Sequence, residues 1–350
     1  MAGVARYFRS RYGNLARCGS RAWDHTELAG REGWGVPREH AVLPGKRGSS
    51  MKKFTTVGLG ELLWDIFPDG RQLGGAPTNF AYMTSLLGDE GIIASRVGND
   101  ELGEDAKHRL GRLGLGTSYI QLDPTYRTGI VQVEVDIKGQ PTFQIAEPAA
   151  WDSFEWTSAW QALAQKADAV CFGSLAQRSP QSRQTIHFFL KTIRPETTRV
   201  FDVNLRQSYY SAQILADSAK QADIIKLNHD ELPAVVRLLG FPFHDEESAA
   251  QWMRHTFHSK LVCITRGARG SLLISEYAKH EHPGIRVQVA DTVGSGDAFT
   301  AALVYHYLRR GSLAAMNEAA NRMGSWVAGQ TGATPARDEA RLELIRSAEA

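Results

Sequence analysis

At 350 residues, 43% of them hydrophobic, the chain is long enough to bury a large core as one α/β unit or two modest domains. A net charge of +2, with basic and acidic residues interleaved, gives no basic stripe for nucleic acid or an anionic membrane, and no apolar run approaches membrane-spanning length. Small-molecule chemistry in the cytoplasm is the expectation. The three cysteines, Cys18, Cys171 and Cys263, are far apart, and the last two lie inside apolar strand-like runs, so they read as reduced core thiols and not as a disulfide or metal set.

Eight arginines are scattered through the first fifty residues among Gly, Trp23 and Trp34, with no sustained apolar period. This segment reads as a disordered extension, 1–50. Asp24, Glu27, Glu32 and Glu39 are out of place in a transit peptide, and there is no secretory apolar stretch. An upstream start is the preferred explanation, with Met51 opening the folded unit over 51–340 and a tail over 341–350.

From residue 54 onward, short apolar runs alternate with helical patterns. The first strand, 56–59, leads into Gly60-Glu-Leu-Leu-Trp-Asp65, where Asp65 either accepts hydrogen bonds from two hydroxyls at the strand's carboxyl edge or is a surface loop acid. Leu73-Gly-Gly-Ala-Pro-Thr-Asn79 enters a helix over 76–87. Gly74 and Gly75 allow close backbone approach to a ligand and Asn79 offers a donor and an acceptor, although a plain turn and helix entry fits equally. A strand over 91–97 and a helix over 103–113 follow. Residues 130–137 and 141–145 then alternate with period two around Lys138-Gly139, as in a hairpin with one wet face; with 61–73 and the rest of 118–147 they form an expected lid sheet.

Strands at 169–172, 199–203, 224–227 and 261–265 and helices at 182–192, 211–221 and 230–239 complete a layered pattern. Phe201-Asp-Val-Asn-Leu-Arg206 follows one strand, and Arg206 is a fork for a phosphate or substrate anion. Asn228 and Glu231, three apart at a helix entry, suit the waters of a magnesium-bound phosphate or simply cap the helix. Thr265-Arg-Gly-Ala-Arg-Gly270 is either a nucleotide-phosphate loop or a hairpin connection. In Asp291-Thr-Val-Gly-Ser-Gly-Asp297 the last residues precede Phe299, Ala302, Leu303 and Tyr307 at helical spacing. Gly294 to Asp297 therefore fall in a first turn, whose N–H groups are free to hold an anion while the carboxylate takes a proton from an attacking hydroxyl. The alternative is an early-helix acid favoured by the dipole.

These segments, together with Arg96-Val-Gly-Asn-Asp100 and Gly103, resemble in order the ribokinase-like, or phosphofructokinase-B, sugar kinase family, and more narrowly its fructokinase and 2-keto-3-deoxygluconate kinase branch. The resemblance runs from about Met51 to Pro335. It implies a three-layer α/β/α sandwich with a mostly parallel central sheet, a small β lid, and transfer of the ATP γ-phosphate to a sugar hydroxyl. Asp297 maps to the base and Gly294, Ser295 and Gly296 to the anion hole; the family usually has Ala where Ser295 stands. Asp65, Gly74, Gly75 and Asn79 map to sugar contacts, Asn228, Thr265, Gly267, Gly270 and Asn321 to the nucleotide side, and Glu231 to Mg²⁺ through water. Asp291 and Val293 are candidates for a monovalent cation such as K⁺.

Fructose is the expected substrate, ahead of 2-keto-3-deoxygluconate, ribose or a nucleoside. A non-catalytic sugar-binding regulator is the rival from another class, against which the Asp297 carboxylate argues. The lid is a candidate surface for a homodimer. No Gly-x-x-x-x-Gly-Lys-Ser/Thr occurs, and Val57-Gly-Leu-Gly lacks a dinucleotide fingerprint's third glycine.

Overall fold

A computed structural model describes residues 52–68, 70–135 and 141–349; the expected extension over 1–50, Cys18 and the Lys138-Gly139 turn lie outside the described residues. The apolar runs become buried strands. β1 (Thr55–Leu59) is followed by β2 (Leu63–Phe67), β3 (Gly70–Gly74), α1 (Ala76–Leu86), β4 (Glu90–Gly98), α2 (Glu101–Arg112) and β5 (Ile120–Asp123). Next come β6 (Gly129–Val135), β7 (Pro141–Ile145), α3 (Ser158–Lys166), β8 (Ala169–Phe172), α4 (Pro180–Thr192), β9 (Thr198–Asp202), α5 (Ala212–Gln221) and β10 (Ile224–Asn228). The rest of the order is α6 (Leu232–Leu238), α7 (Glu246–Phe257), β11 (Leu261–Thr265), β12 (Ser271–Ser275), β13 (Lys279–His282), α8 (Ser295–Leu308), α9 (Leu313–Ala328) and α10 (Glu339–Arg346).

The large sheet has the order β13-β12-β11-β10-β9-β8-β1-β4-β5, parallel from β11 to β5, with β12 and β13 added antiparallel. Strands buried on both faces need helices on both. One face packs α3 to α7 through Trp160, Phe189, Leu215, Val235 and Met253. The other packs α1, α2, α8, α9 and α10 through Phe80, Leu110, Leu303, Met323 and Leu342. The layered pattern expected from the alternation of runs, and the three-layer sandwich that the resemblance implies, are the observed fold.

A second sheet, order β3-β2-β6-β7, stands apart from the large one. β5 lies within the segment assigned to the lid, but it pairs in parallel with β4 from Ser95↔Ile120 to Gly98↔Asp123, so the second excursion to the small sheet starts at Gly129. A buried ion pair, Arg96 Nε to Asp123 Oδ2 at 2.8 Å, holds β5 on the sheet edge. Nor is the chain end a bare tail: α10 buries Leu342 and Ile345, and His306 Nε2 lies 2.8 Å from the Ile345 carbonyl.

The topology also sets where a ligand fits. From β1 the chain builds β4 and β5 on one side, then returns to place β8 and all later strands on the other. Connections leave β1 and β8 in opposite directions, which opens a crevice at their carboxyl ends, the usual ligand position in open α/β sheets.

Candidate active site

Three chain segments meet at that crevice: the residues after β1, the entry to α1 and the entry to α8. The α1 entry is glycine because of crowding: a Cβ on Gly75 (φ +107°) would stand 2.3 Å from the Glu61 carbonyl oxygen. On Gly74 it would stand 2.5 Å from Asp65 Oδ2. Pro77 occupies the first turn, where its missing N–H costs nothing. The outcome is that Asp65, Gly74, Gly75 and Asn79 are brought together, with Asn79 buried and its Nδ2 donating to Asp297 Oδ2 at 2.8 Å.

The α8 entry is built on Gly294, the N-cap, in the left-handed region at φ +76°; a Cβ there would lie 2.5 Å from that of Ala333. Asp291 braces the turn by accepting from the N–H groups of Val293 at 3.0 Å and Gly332 at 3.1 Å. The Ser295 hydroxyl donates to the Thr292 carbonyl at 2.9 Å, and the Ser295 N–H makes a long bond of 3.3 Å to the same oxygen. An anion at this turn therefore competes with a weak internal bond at Ser295. Asp297 sits in the first turn, as its spacing predicts.

Beneath this turn the structure places a charged pair that sequence reasoning missed. Lys226, in the middle of β10, donates to Asp202 at 3.0 and 3.1 Å, and Thr300 Oγ1 donates to Asp202 Oδ2 at 2.9 Å. Both charged residues are under 10% exposed. A Cβ on Gly296 would stand 3.1 Å from Lys226 Nζ, so the ammonium underlies the α8 turn. Burial pulls the lysine pKa down, but Asp202, Asp297 and Glu231 outweigh it and hold the group protonated. Burial and the charge of Asp202 push Asp297 up to about 6, against Lys226, the Asn79 amide and Arg206. Asp65 rises likewise to about 6 by burial, with Arg206 opposing and Asp291 adding. Glu61, also missed, is buried beside them and pushed to about 7, chiefly by burial.

Arg206 leaves β9 on a strained loop, with Asn204 at φ 44° and Gln207 at φ 47°. The loop is tied down by Ser174 Oγ to the Val203 carbonyl at 2.8 Å and by the Leu205 N–H to Glu231 Oε1 at 2.8 Å. Arg206 is exposed, and its charge acts on Glu61, Asp65 and Asp297 together.

Asn228 and Glu231 satisfy one another's backbone: Asn228 Oδ1 accepts from the Glu231 N–H at 2.9 Å, and Glu231 Oε2 from the Asn228 N–H at 2.9 Å. With Oε1 on Leu205, each Glu231 oxygen already holds a backbone donor, and among the described residues no three His, Cys, Asp or Glu cluster to hold a metal. That arrangement fits magnesium approached through water. Thr265 neighbours Asn228 in register, and Gly267 and Gly270 turn the chain into β12 with positive φ. A Cβ on Gly270 would be 1.9 Å from the His282 carbonyl. Asn321 joins this corner from α9, although its Nδ2 donates to Ser271 Oγ at 2.8 Å and to the Asn317 carbonyl at 2.8 Å. The residues expected on the nucleotide side thus lie along the carboxyl ends of β10 and β11, beyond β9 from Asp65 and Asn79.

Residues 69–340 match the family described as pfkB family carbohydrate kinase. A fructokinase of Klebsiella pneumoniae is 31% identical over 258 residues, which cover 70% of this chain and 82% of that protein. An uncharacterized sugar kinase of Pyrococcus horikoshii, solved in complex with ATP, is 27% identical and superposes with a TM-score of 0.68 over 83% of this chain and 99% of its own. The ATP-bound fructokinase of Xylella fastidiosa shares the fold with a TM-score of 0.74 at 21% identity, over 83% and 97% of the two chains. Sequence, sheet order and the crevice at the switch point agree: the chain belongs to the pfkB family of carbohydrate kinases and is a sugar kinase.

Proposed function

We propose that this sugar kinase transfers the γ-phosphoryl group of ATP to a hydroxyl of fructose. The observation that carries the reading is Asp297: a carboxylate in the first turn of α8, hydrogen-bonded to Asn79 of the sugar-side helix and raised toward neutrality by its surroundings. In the proposed reaction the sugar O–H gives its proton to Asp297 as the new O–P bond forms and the bond to the departing ADP breaks. The α8 turn, Gly294 to Gly296, receives the phosphoryl oxygens on backbone N–H groups. Asp65, Gly74, Gly75 and Asn79 hold the sugar, and Arg206 holds an anion over it. Asn228, Thr265, Gly267, Gly270 and Asn321 line the nucleotide side. Glu231 would order the waters of Mg²⁺, which supplies charge neutralisation of the phosphates when bound. Asp291 and Val293 would border a K⁺ site behind the turn.

The fructokinase named above supports fructose over other sugars at the level of 31% identity. A coupled ADP-release screen over fructose, ribose, 2-keto-3-deoxygluconate, tagatose and adenosine is the test, with fructose expected to give the highest kcat/KM. A higher value for any other acceptor overturns the fructose reading, and ADP release from none overturns the kinase reading itself.

The raised carboxyl groups also predict a pH profile. Only ionised Asp297 can accept the proton, so kcat/KM for the sugar is expected to fall as pH drops through about 6 and to level above it. Asp297 and Asp65 lie together near 6, so the observed limb belongs to the group of carboxyls and not to one residue. A profile flat between pH 5 and pH 7 would remove Asp297 as the base.

A further inference from the structure

Glu61 lies two residues beyond β1 and takes no part in the scheme above. It is 3% exposed, yet its Oε2 has no hydrogen-bond partner. Such an oxygen is costly to bury unpaired, more so than a neutral acceptor. What holds it there is visible: the Glu61 N–H and the Ala76 N–H at the start of α1 both act on the carboxyl, and the absence of a side chain on Gly75 leaves room for the Glu61 carbonyl. Those donors account for a role as the neutraliser of a helix end. They leave Oε2 unexplained.

A second buried acceptor without a partner lies in the same helix entry, Asn79 Oδ1, whose amide nitrogen is already committed to Asp297. Around these atoms stand Asp65 and Asp297, and the cation that acts on all three carboxyls is Arg206. The crevice therefore offers three carboxyl groups and an amide oxygen against the Arg206 guanidinium, the Lys226 ammonium beneath Asp297 being already paired with Asp202. Hydroxyl groups, each able to donate, satisfy such a set, whereas a sugar that carries its own carboxylate adds a like charge beside three others.

We infer that Glu61 accepts a hydrogen bond from a hydroxyl of the sugar through Oε2 and so selects neutral sugars against sugar acids. This rests on the sugar-kinase reading above and assigns a specificity residue within it. Glu61→Gln is the informative change, because its amide oxygen can still serve the Ala76 N–H while its NH₂ puts a donor where the acceptor was. The variant is expected to raise KM for fructose about 10- to 100-fold, the scale of one charged hydrogen bond, with KM for ATP unchanged within about twofold. The ratio of kcat/KM for fructose to that for 2-keto-3-deoxygluconate should fall with it.

Deoxyfructose analogues locate the hydroxyl without relying on the variant's folding. With the wild-type enzyme one analogue should lose about tenfold or more in kcat/KM. With the variant that same analogue should lose nothing further. No sensitive analogue, or an unchanged KM and substrate ratio in a Glu61→Gln protein that merely melts lower, overturns the inference and leaves Glu61 as a helix-end group. Failure of the wild-type chain to phosphorylate fructose would instead strike at the proposed function, so the two failures are separable.

Discussion

Asp297→Asn is expected to retain fructose and ATP binding while turnover falls about 10²- to 10⁴-fold, the range for loss of a positioned general base. In-line phosphoryl transfer asks mainly for positioning and charge stabilisation, but the attacking hydroxyl must still lose its proton. The amide cannot take it. Its oxygen can accept from Asn79 Nδ2 as Asp297 Oδ2 does at 2.8 Å, so the link between α1 and α8 survives. Removing a carboxyl whose pKa is raised by burial also removes a group that opposes folding once ionised, so above pH 6 the variant should melt no lower than the wild type. Single-turnover rates, with sugar and nucleotide affinities measured separately by calorimetry, decide the matter. Turnover above about a tenth of wild type would sink the assignment.

Much of the frame was legible because its signals are local. The runs at 56–59, 169–172 and 224–227 are apolar and short, and each became a strand of the large sheet within a residue or so. The α8 turn was legible for the same reason: glycines followed by residues at helical spacing leave little choice of geometry. Sheet membership was not. Residues 120–123 read as part of a lid, yet their partner is β4, and no property of the run itself distinguishes one sheet from another. α10 was missed because Leu342 and Ile345 alone make a thin apolar stripe among charges; what orders it is packing against α9.

The site shows the same division. Asn79, Asp297, Asn228 and Thr265 stand out at element ends with turn chemistry around them. For Asn228 and Glu231 the structure shows bonds that close the turn before α6, whose N-cap Glu231 makes no side-chain cap bond, and the same bonds fix the carboxylate in place. Glu61 and Lys226 were passed over because each sits beside or within an apolar run and gains meaning from residues far away in sequence. Lys226 is paired with Asp202, 24 residues earlier, and lies under Gly296, 70 positions on. A charged residue inside a buried strand is the one signal that could have prompted the question, since such a group is rarely buried unless paired.

That pair yields the second large effect. Lys226→Met removes one partner of a buried ion pair and leaves Asp202 uncompensated, which should cost about 3–5 kcal/mol of stability. Adding Asp202→Leu removes the stranded charge, and most of the loss should return, because well-packed apolar replacements of a buried pair are often neutral. Thr300 then keeps its bond to the Gly296 carbonyl at 3.0 Å. Turnover should behave differently from stability. In the single variant Asp202 and Asp297 become two carboxyls without the ammonium between them, so the acid limb of the rate profile should move above 6. In the double variant both the raising charge of Asp202 and the lowering charge of Lys226 are gone, and the limb should return toward 6 while turnover stays about tenfold or more below wild type for want of a cation under the α8 turn. Recovery of stability with full recovery of turnover would mean that the pair only holds β9, β10 and α8 together. Recovery of stability alone would mark Lys226 as a residue that positions charge for the transferred phosphoryl group.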